Sequence, residues 1–316
     1  MDLRLGVDLM GGDQAPDVIF KAILDVARKT KYYLVVLATR PFCSLFAQNA
    51  HPRIEFLTTE ESIEMGESPL LAIRRKKNSS MSVGMRLLKK GEVDAFISVG
   101  NTGALVGTAI HYLGTFPGVE RPALLVTMPT AKEKIVVLDV GANMMAKPCQ
   151  IVSYAKMGAI YQQCYQGLKN PMIGLLNIGV EEEKGRKETK ETYRLLQTAF
   201  QNCFLGNIEG HEVFRGEIDV LVTDGFTGNI FLKTSEGVSS FLANYLGKQF
   251  NVPEIVAHLN QKFNYSKHPG AFLCGLNGLV IKCHGNSDHQ ALMNGILGAA
   301  DLIERGVFDQ MKKALI

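Results

Sequence analysis

Short apolar runs alternate with longer amphipathic segments along most of the chain. The runs 3–9, 33–37 and 94–99 have the length and the apolar composition of buried strands, whereas 17–29 and 148–165 place apolar residues at helical spacing. This alternation predicts an α/β protein, a three-layer αβα sandwich with a mostly parallel sheet. Further strands are predicted at 54–57, 123–128, 134–140, 172–177, 204–207 and 218–222, and further helices at 41–48, 81–90, 104–112, 187–200 and 288–305.

Glycine turns that carry Asp, Asn or His follow several of the predicted strands. They are Asp8–Asp13 (DLMGGD), Gly100–Gly103 (GNTG), Asp139–Asn143 (DVGAN), Asp224–Asn229 (DGFTGN) and His284–Gly285. In an open α/β sheet, ligands bind beyond the carboxyl ends of the strands. Backbone N–H groups in glycine turns and at helix N-termini also attract anions. The sequence therefore predicts a polar crevice at the strand ends that suits inorganic phosphate or a phosphate ester.

Each of these turns also has a purely structural interpretation. Asp8 and Asp13 are typical of turns and helix caps, Thr102 is expected to cap the helix that follows it, and Asn229 is placed to begin another helix. Lys184 stands beside three glutamates after a predicted strand, where it is either surface charge or a cation that faces a ligand anion. On the residue pattern alone, both interpretations stay open.

The composition narrows the classes of protein that remain. Apolar residues make up 46% of the 316 residues, and the net charge of +3 is too small to indicate nucleic-acid binding. The usual nicotinamide, P-loop, zinc-peptidase and serine-nucleophile motifs are missing from the sequence. No uncharged apolar run reaches 18 residues, and Met1–Arg4 leads directly into a strand. We therefore expect neither a membrane-spanning segment nor a signal peptide.

The six cysteines include no CxxC pair and lie in or beside apolar segments. Buried free thiols in a reducing cytosol are expected from this pattern, rather than disulfides or a zinc site. Cys283 lies near a strand end, which makes it a candidate for an acyl-carrying nucleophile. An apolar strand end with no obvious partner base is, however, the usual setting of an inert thiol.

Two segments indicate contacts with larger partners. Arg74–Lys77 is the densest basic cluster of a nearly neutral chain, which makes it a candidate for docking an acidic partner. The segment 238–263 is rich in Phe, Leu, Val and Tyr. Such a segment packs in a core or a dimer, or lies on a lipid surface, and a core or an interface is the commoner case.

The order of the strand-end motifs resembles that of the phosphate acyltransferase (PlsX) family, along nearly the whole chain. Two positions depart from the family pattern: Gln14 stands where the family usually has His, and His268–Gly270 replaces a loop of the Tyr-Gly-Gly type. These departures bear on a site histidine and on acyl chain-length preference. The matching stretches are Asp8–Asp13, Arg74–Lys77 with Ser79–Met81, Ser98–Ala104, Leu138–Asn143, Asn177–Gly179 with Lys184–Gly185, Gly206–Gly210, Asp224–Asn229 with Leu232–Gly237, and Gly275–Gly278 with His284–Gly285.

The resemblance implies a fold, a reaction and partners. The fold is related to the isocitrate and isopropylmalate dehydrogenases, as one domain over 1–316 with a mostly helical apolar segment around 238–265. The reaction moves a fatty acyl group from an acyl carrier protein thioester to inorganic phosphate, giving acyl phosphate for phospholipid synthesis. No cofactor, metal or nucleic acid takes part. The family works as a cytoplasmic homodimer, peripherally bound to the inner face of the cell membrane, and hands its product to a glycerol-3-phosphate acyltransferase.

The resemblance also suggests a role for each candidate residue. Lys184 and Asn229 are expected to hold the phosphate or the oxyanion, and His284 to give a proton to the departing thiolate. The charge of Arg74–Lys77 is expected to meet the acidic carrier protein. An acyl-CoA-dependent phosphate acyltransferase and a non-catalytic acyl- or phosphate-binding protein remain as alternatives. The residues expected to complete the phosphate or substrate site are Asp8, Gly11, Gly12, Asn101, Thr102, Gly103, Asn143 and Asp224.

Overall fold

The computed structural model describes residues 2–13, 16–47, 51–250, 253–257 and 270–315. Gln14, His268 and Pro269, together with parts of the apolar segment 238–265, lie outside these residues. The chain forms two compact units. The first draws its described residues from Met1–Pro117 and Ser266–Phe308, and the second from Gly118–Tyr265 and Asp309–Ile316. The single domain expected over 1–316 stays a prediction.

Strands and helices alternate as the apolar pattern predicts. The strands are β1 (Arg4–Asp8), β2 (Tyr33–Thr39), β3 (Ile54–Thr59), β4 (Ala95–Ser98), β5 (Ala123–Pro129), β6 (Lys134–Leu138), β7 (Ile173–Asn177), β8 (Phe204–Glu209), β9 (Val220–Val222), β10 (Ala271–Cys274) and β11 (Leu279–Lys282). The helices are α1 (Asp17–Lys29), α2 (Arg40–Ala47), α3 (Pro69–Arg75), α4 (Ser80–Lys90), α5 (Thr102–Leu113), α6 (Pro148–Gln166), α7 (Lys187–Ala199), α8 (Gly225–Phe250), α9 (His289–Glu304) and α10 (Val307–Leu315).

The sheet of the first unit has the strand order β3-β2-β1-β4-β11-β10. Its pairs are parallel except for the antiparallel hairpin of β10 and β11. Strand β1 is buried on both faces, as expected for a central parallel strand, and Leu5 and Val7 are fully inaccessible. Helix α4 packs against this sheet at Gly84, where an added Cβ would lie 2.0 Å from Cε2 of Phe96. Glycine is therefore needed for the helix to approach so closely.

The sheet of the second unit has the order β5-β6-β9-β7-β8. Strands β5 and β6 are antiparallel, as expected for neighbours in the sequence, and the remaining pairs are parallel. Helix α6 crosses this sheet at Gly158, where an added Cβ would lie 2.5 Å from Cγ1 of Val220 and 2.9 Å from Cδ1 of Leu138. One edge of this sheet holds the carboxyl ends of β6, β9, β7 and β8, because these strands are parallel.

The predicted fold class is confirmed: the protein is α/β, with mostly parallel strand pairing and flanking helices. Two predicted helix caps are wrong. Asn101, not Thr102, caps α5, because its side-chain oxygen accepts from the Ala104 amide at 3.0 Å. Helix α8 begins at Gly225, so Asn229 lies inside the helix, one turn beyond its start.

The expectation of buried thiols holds for some cysteines and is wrong for others. Cys43, Cys274 and Cys283 are buried, whereas Cys149 is exposed, and Cys164 and Cys203 are partly accessible. Burial raises the pKa of the Cys283 thiol to about 11, which fits the expected inert group. Among the residues that the structure describes, no helix is both long and apolar enough to cross a membrane.

Candidate functional sites at the strand ends

In the first unit, the loops after β1, β4 and β11 meet because these parallel strands are neighbours. The Asp13 amide donates to the Gly285 carbonyl at 2.8 Å. Gly11 and Gly12 have φ values of +111° and +82°, and an added Cβ at Gly12 would lie 2.8 Å from Cγ2 of Val99. Both glycines are therefore required by the loop packing, whatever they contribute to substrate binding.

Asp8 and Lys282 are two buried charged groups within this cluster. The Asp8 carboxylate accepts from the Ser98 hydroxyl at 2.9 Å and from the Met10 amide at 3.0 Å. The Lys282 ammonium donates to the carbonyls of Val99 (3.1 Å) and Cys283. Both side chains are thus used to hold the turns that end the strands. The sequence analysis missed Lys282, although a single cation in the apolar run 279–283 was a usable signal.

Burial raises the pKa of Asp8 to about 6. The Ser98 hydroxyl, the Met10 amide and the charge of Lys282 pull the pKa down, but by less than burial raises it. Near neutral pH, the carboxyl group of Asp8 is therefore protonated in a fraction of the molecules. Asp8 positions the turn that contains Gly11 and Gly12. Its direct contact with phosphate stays a prediction.

The Asn101 side chain, predicted to bind phosphate, is engaged within the protein on both sides. Its oxygen caps α5, and its nitrogen donates to the carbonyls of Met65 (2.8 Å) and Glu67 (3.2 Å). Thr102 is half-buried beside it, and Gly103 is exposed, with Pro69 packed where a Cβ would be. The group that remains available to an anion is the backbone at the N-terminus of α5.

His284 and the basic cluster also lie in the first unit. The side chain of His284 is exposed directly after β11. Within the basic cluster, Arg74, Arg75 and Lys77 are exposed, at the end of α3 and just beyond it. Lys76 differs from them, because its ammonium pairs with Glu67 and donates to the Ser62 carbonyl. Lys76 therefore ties the 62–67 loop to the end of α3.

In the second unit, the carboxylate of Asp139 organises the turn after β6. It is fully buried and accepts from the amides of Leu124, Gly141 and Ala142 at 2.9 to 3.0 Å. It also accepts from both the backbone and the side-chain nitrogen of Asn143, at 2.7 and 2.9 Å. Burial raises the pKa of Asp139, and these hydrogen bonds oppose that shift.

Asn143, predicted to bind substrate, uses its side chain inside the protein. Besides Asp139, its Nδ2 donates to the Pro122 carbonyl at 2.7 Å and to the Tyr154 hydroxyl at 3.1 Å. Tyr154 is itself fully buried, and burial raises its pKa, so the hydroxyl stays neutral. The amide therefore closes the turn, and its role toward substrate stays a prediction.

The first turn of α8 rests on the same turn. The Gly225 amide donates to the Asn143 carbonyl at 2.9 Å, and an added Cβ at Gly228 would lie 1.9 Å from the Asp139 carbonyl oxygen. Asp224 caps the helix through the Thr227 amide at 2.8 Å. Asn229 follows with an exposed side chain that lies beside Gly141. The Asn229 side chain is therefore exposed at the helix start, whereas Asp224 is half-buried and caps the helix.

Lys184 lies on a loop that two asparagine side chains hold in place. Asn177 donates to the Lys184 carbonyl at 3.2 Å, and Asn207 donates to the Glu181 carbonyl at 2.8 Å. The Lys184 side chain is half exposed, and its ammonium lies 3.8 Å from Glu181 Oε1. The backbone is fixed while the charge stays available, as an anion-binding lysine requires.

The second unit therefore brings together the candidates that follow β6, β9 and β7 at one sheet edge. Among them, Lys184 and Asn229 present exposed polar groups, whereas Asn143 and Asp224 are used to build the loops. A cation and an amide at one edge suit the binding of phosphate or the stabilisation of an oxyanion. Over the described part of the chain, His, Cys, Asp and Glu side chains form no group of three or more placed to hold a metal ion.

The raised pKa of Asp8 predicts a pH-dependent term in stability. Because the folded state favours the protonated carboxyl, the contribution of Asp8 falls as pH rises from about 4 to about 6 and is level above that. The fall is about 3 kcal/mol for about two pKa units. In urea unfolding between pH 4 and 7, the free energy of unfolding should fall by this amount more in the wild type than in Asp8→Asn, because the raised pKa of Asp139 is common to both proteins. Asp13→Asn, at an exposed carboxyl group, is the control, and parallel curves for wild type and Asp8→Asn would contradict the prediction.

Comparisons with known proteins confirm the family resemblance. A family model described as "Fatty acid synthesis protein" matches residues 3–310. The phosphate acyltransferases of Chlamydia caviae and Chlamydia pneumoniae are 44% and 43% identical to this chain, over 100% of both sequences in each case. Phosphotransacetylases from Streptococcus pyogenes and Staphylococcus aureus have the same fold, with TM-scores of 0.66 and 0.63. Their identities are 15% and 16%, and the matches cover 96% and 95% of this chain and 94% of each of theirs. The chain belongs to the phosphate acyltransferase family of fatty acid synthesis proteins.

Proposed function

We propose that the protein transfers a fatty acyl group from an acyl carrier protein thioester to inorganic phosphate. The product, an acyl phosphate, enters phospholipid synthesis by transfer to a glycerol-3-phosphate acyltransferase. Membership of the phosphate acyltransferase family supports the transfer to phosphate. The observation that carries the proposal is the pair of exposed polar side chains, Lys184 and Asn229, on rigidly held backbone at one sheet edge.

The proposed chemistry needs positioning and charge stabilisation more than an enzyme nucleophile. Phosphate is already anionic at neutral pH, and one of its oxygens attacks the thioester carbonyl carbon. The carbonyl oxygen gains negative charge, which the Lys184 ammonium and the Asn229 amide stabilise. The intermediate then collapses, the carbon–sulfur bond breaks, and the thiolate takes up a proton to leave as the free carrier-protein thiol. His284 remains our candidate for the proton donor.

Fixed backbone is what makes Lys184 suitable for this role. A lysine on a loose loop would lose entropy each time it bound phosphate. Here the Asn177 and Asn207 side chains hold the carbonyls of Lys184 and Glu181 before any ligand arrives. The ion pair with Glu181 is long and half exposed, so an incoming phosphate displaces it at little cost.

Lys184→Ala is expected to lower turnover by about a hundredfold or more, as removal of an oxyanion-stabilising group does. The free energy of unfolding should fall by less than about 1 kcal/mol, since Lys184 makes only a half-exposed ion pair. The assay is release of free carrier-protein thiol from a long-chain acyl carrier protein, with and without inorganic phosphate. Long-chain acyl-CoA is run as a second donor.

Lys190→Ala is the matched control, because Lys190 is also a lysine of this unit paired with a glutamate, at 3.3 Å from Glu183. It should leave turnover within about twofold, as a surface substitution usually does. Equal losses of activity and stability in Lys184→Ala would remove Lys184 from the site. Thiol release without phosphate would indicate a thioesterase. Thiol release from acyl-CoA but not from the acyl carrier protein would favour the acyl-CoA-dependent alternative.

The exposed cations Arg74, Arg75 and Lys77 support a docking role toward the acidic carrier protein. Arg74→Glu with Arg75→Glu should raise KM for the acyl carrier protein about tenfold at low salt, with kcat nearly unchanged. The difference from wild type should shrink as ionic strength rises, because salt screens exposed charges. The control is Lys89→Glu with Lys90→Glu, at exposed lysines that end α4. A KM insensitive to salt and to the Arg74 and Arg75 changes would reject this docking surface.

Membrane contact and dimer formation belong to the same proposal. Helix α8 exposes Val238, Phe241, Leu242 and Tyr245, which recur at the spacing of one helix face. Such a face supports either peripheral attachment to the inner face of the cell membrane from the cytoplasm or burial against a second copy. In flotation with anionic vesicles, the wild type should float with the vesicles, whereas the double variant Phe241→Ser with Leu242→Ser should not. Equal flotation of both would argue against lipid contact, and sedimentation velocity of the same variants reports the dimer.

A further inference from the structure

Six large apolar side chains are exposed on the segments that follow β6, β7 and β9. Because these strands are parallel neighbours, the three segments share one edge of the second unit's sheet. Single exposed apolar side chains are ordinary, whereas a group at one edge points to a ligand or a partner. The six are Met144, Met145, Ile178, Val180, Phe226 and Ile230, and each is between 48% and 85% exposed.

These apolar side chains are interleaved with the polar groups assigned to the reaction. On α8, Phe226, Asn229 and Ile230 are spaced i, i+3 and i+4, and so share one helix face. On the loop after β7, Gly179 stands between Ile178 and Val180. The Lys184 stem runs past this glycine, with its Cγ 3.0 Å from the position of an added Cβ. Each polar candidate therefore has exposed apolar groups as direct neighbours.

One hydrogen bond joins two of the three segments. The Gly225 amide donates to the Asn143 carbonyl at 2.9 Å, and these residues are followed in the chain by Phe226 and Met144. The exposed apolar side chains of the β6 loop and of α8 thus start from one fixed point.

We propose that these six residues form the surface that binds the aliphatic chain of the acyl donor and that they set its length preference. The inference rests on the proposed function, since it takes Lys184 and Asn229 as the groups that hold the reacting carbonyl. A carbonyl held between those two side chains directs its chain across the apolar residues beside them, and a short chain covers little of that surface. Burial of methylene groups there makes longer chains bind more tightly.

The test compares hexadecanoyl and butyryl acyl carrier protein as donors to wild type and to Ile178→Ser with Val180→Ser. The variant should lose about tenfold or more in kcat/KM for the hexadecanoyl donor, as loss of apolar contacts does, and stay within about twofold for the butyryl donor. Leu195→Ser, at an exposed leucine of α7 in the same unit, should change neither value by more than about twofold. Phe226→Ser provides an independent second variant on α8.

Equal losses for both donors would overturn the proposal, because the residues would then only hold the Lys184 loop. Unchanged length preference would overturn it as well, as would a shift from dimer to monomer in sedimentation, which would assign the surface to a second copy. Binding of the fluorescent fatty acid cis-parinaric acid separates this inference from the proposed function. If wild type transfers no acyl group to phosphate, weaker parinaric acid binding in the variants still supports a chain-binding surface, and equal binding rejects it.

Discussion

The buried carboxylate of Asp139 is the group on which the strand-end geometry of the second unit depends. A carboxylate removed from water is costly unless hydrogen bonds replace its hydration. Here the backbone of the 141–143 turn, the Leu124 amide and the Asn143 side chain supply them. Each hydrogen bond to a charged group contributes about 1.5–3 kcal/mol, so the turn has one strongly preferred conformation.

That preferred turn then positions the first turn of α8. Gly225 and Gly228 let the helix backbone approach the 139–143 turn more closely than any other residue would allow. As a consequence, Asn229 lies at the surface, on a helix start that packs directly against this turn. The same division of labour holds for the loop after β7, where buried or half-buried amides fix the backbone and the Lys184 side chain stays in solvent.

In the first unit, too, a buried carboxyl group at the end of a strand holds a turn. Asp8 ends β1 as a buried carboxyl group, held by Ser98 and by its own turn, and Lys282 holds the turns that follow the neighbouring strands. In both units the buried acid maintains a glycine turn. Exposed side chains such as Lys184 and Asn229 can then differ in chemistry without loss of the fold.

Sequence alone determined the alternation of strands and helices and the glycine turns at the strand ends, because apolar periodicity and local turn chemistry act over a few residues. The family followed from the resemblance of the ordered motifs to those of known relatives. Lys184 and Asn229 could be named as candidates from their positions after predicted strands and from the resemblance to the family. Which polar side chains face solvent was decided only by the tertiary structure. Asn101 and Asn143 look like ligand-binding residues in the sequence, yet their amides are used by carbonyls distant in the chain, at Met65 and Pro122. The side-chain partners of Lys282 and the shared edge of the six apolar residues were equally hidden, since both arise from the order in which parallel strands pair across the sheet.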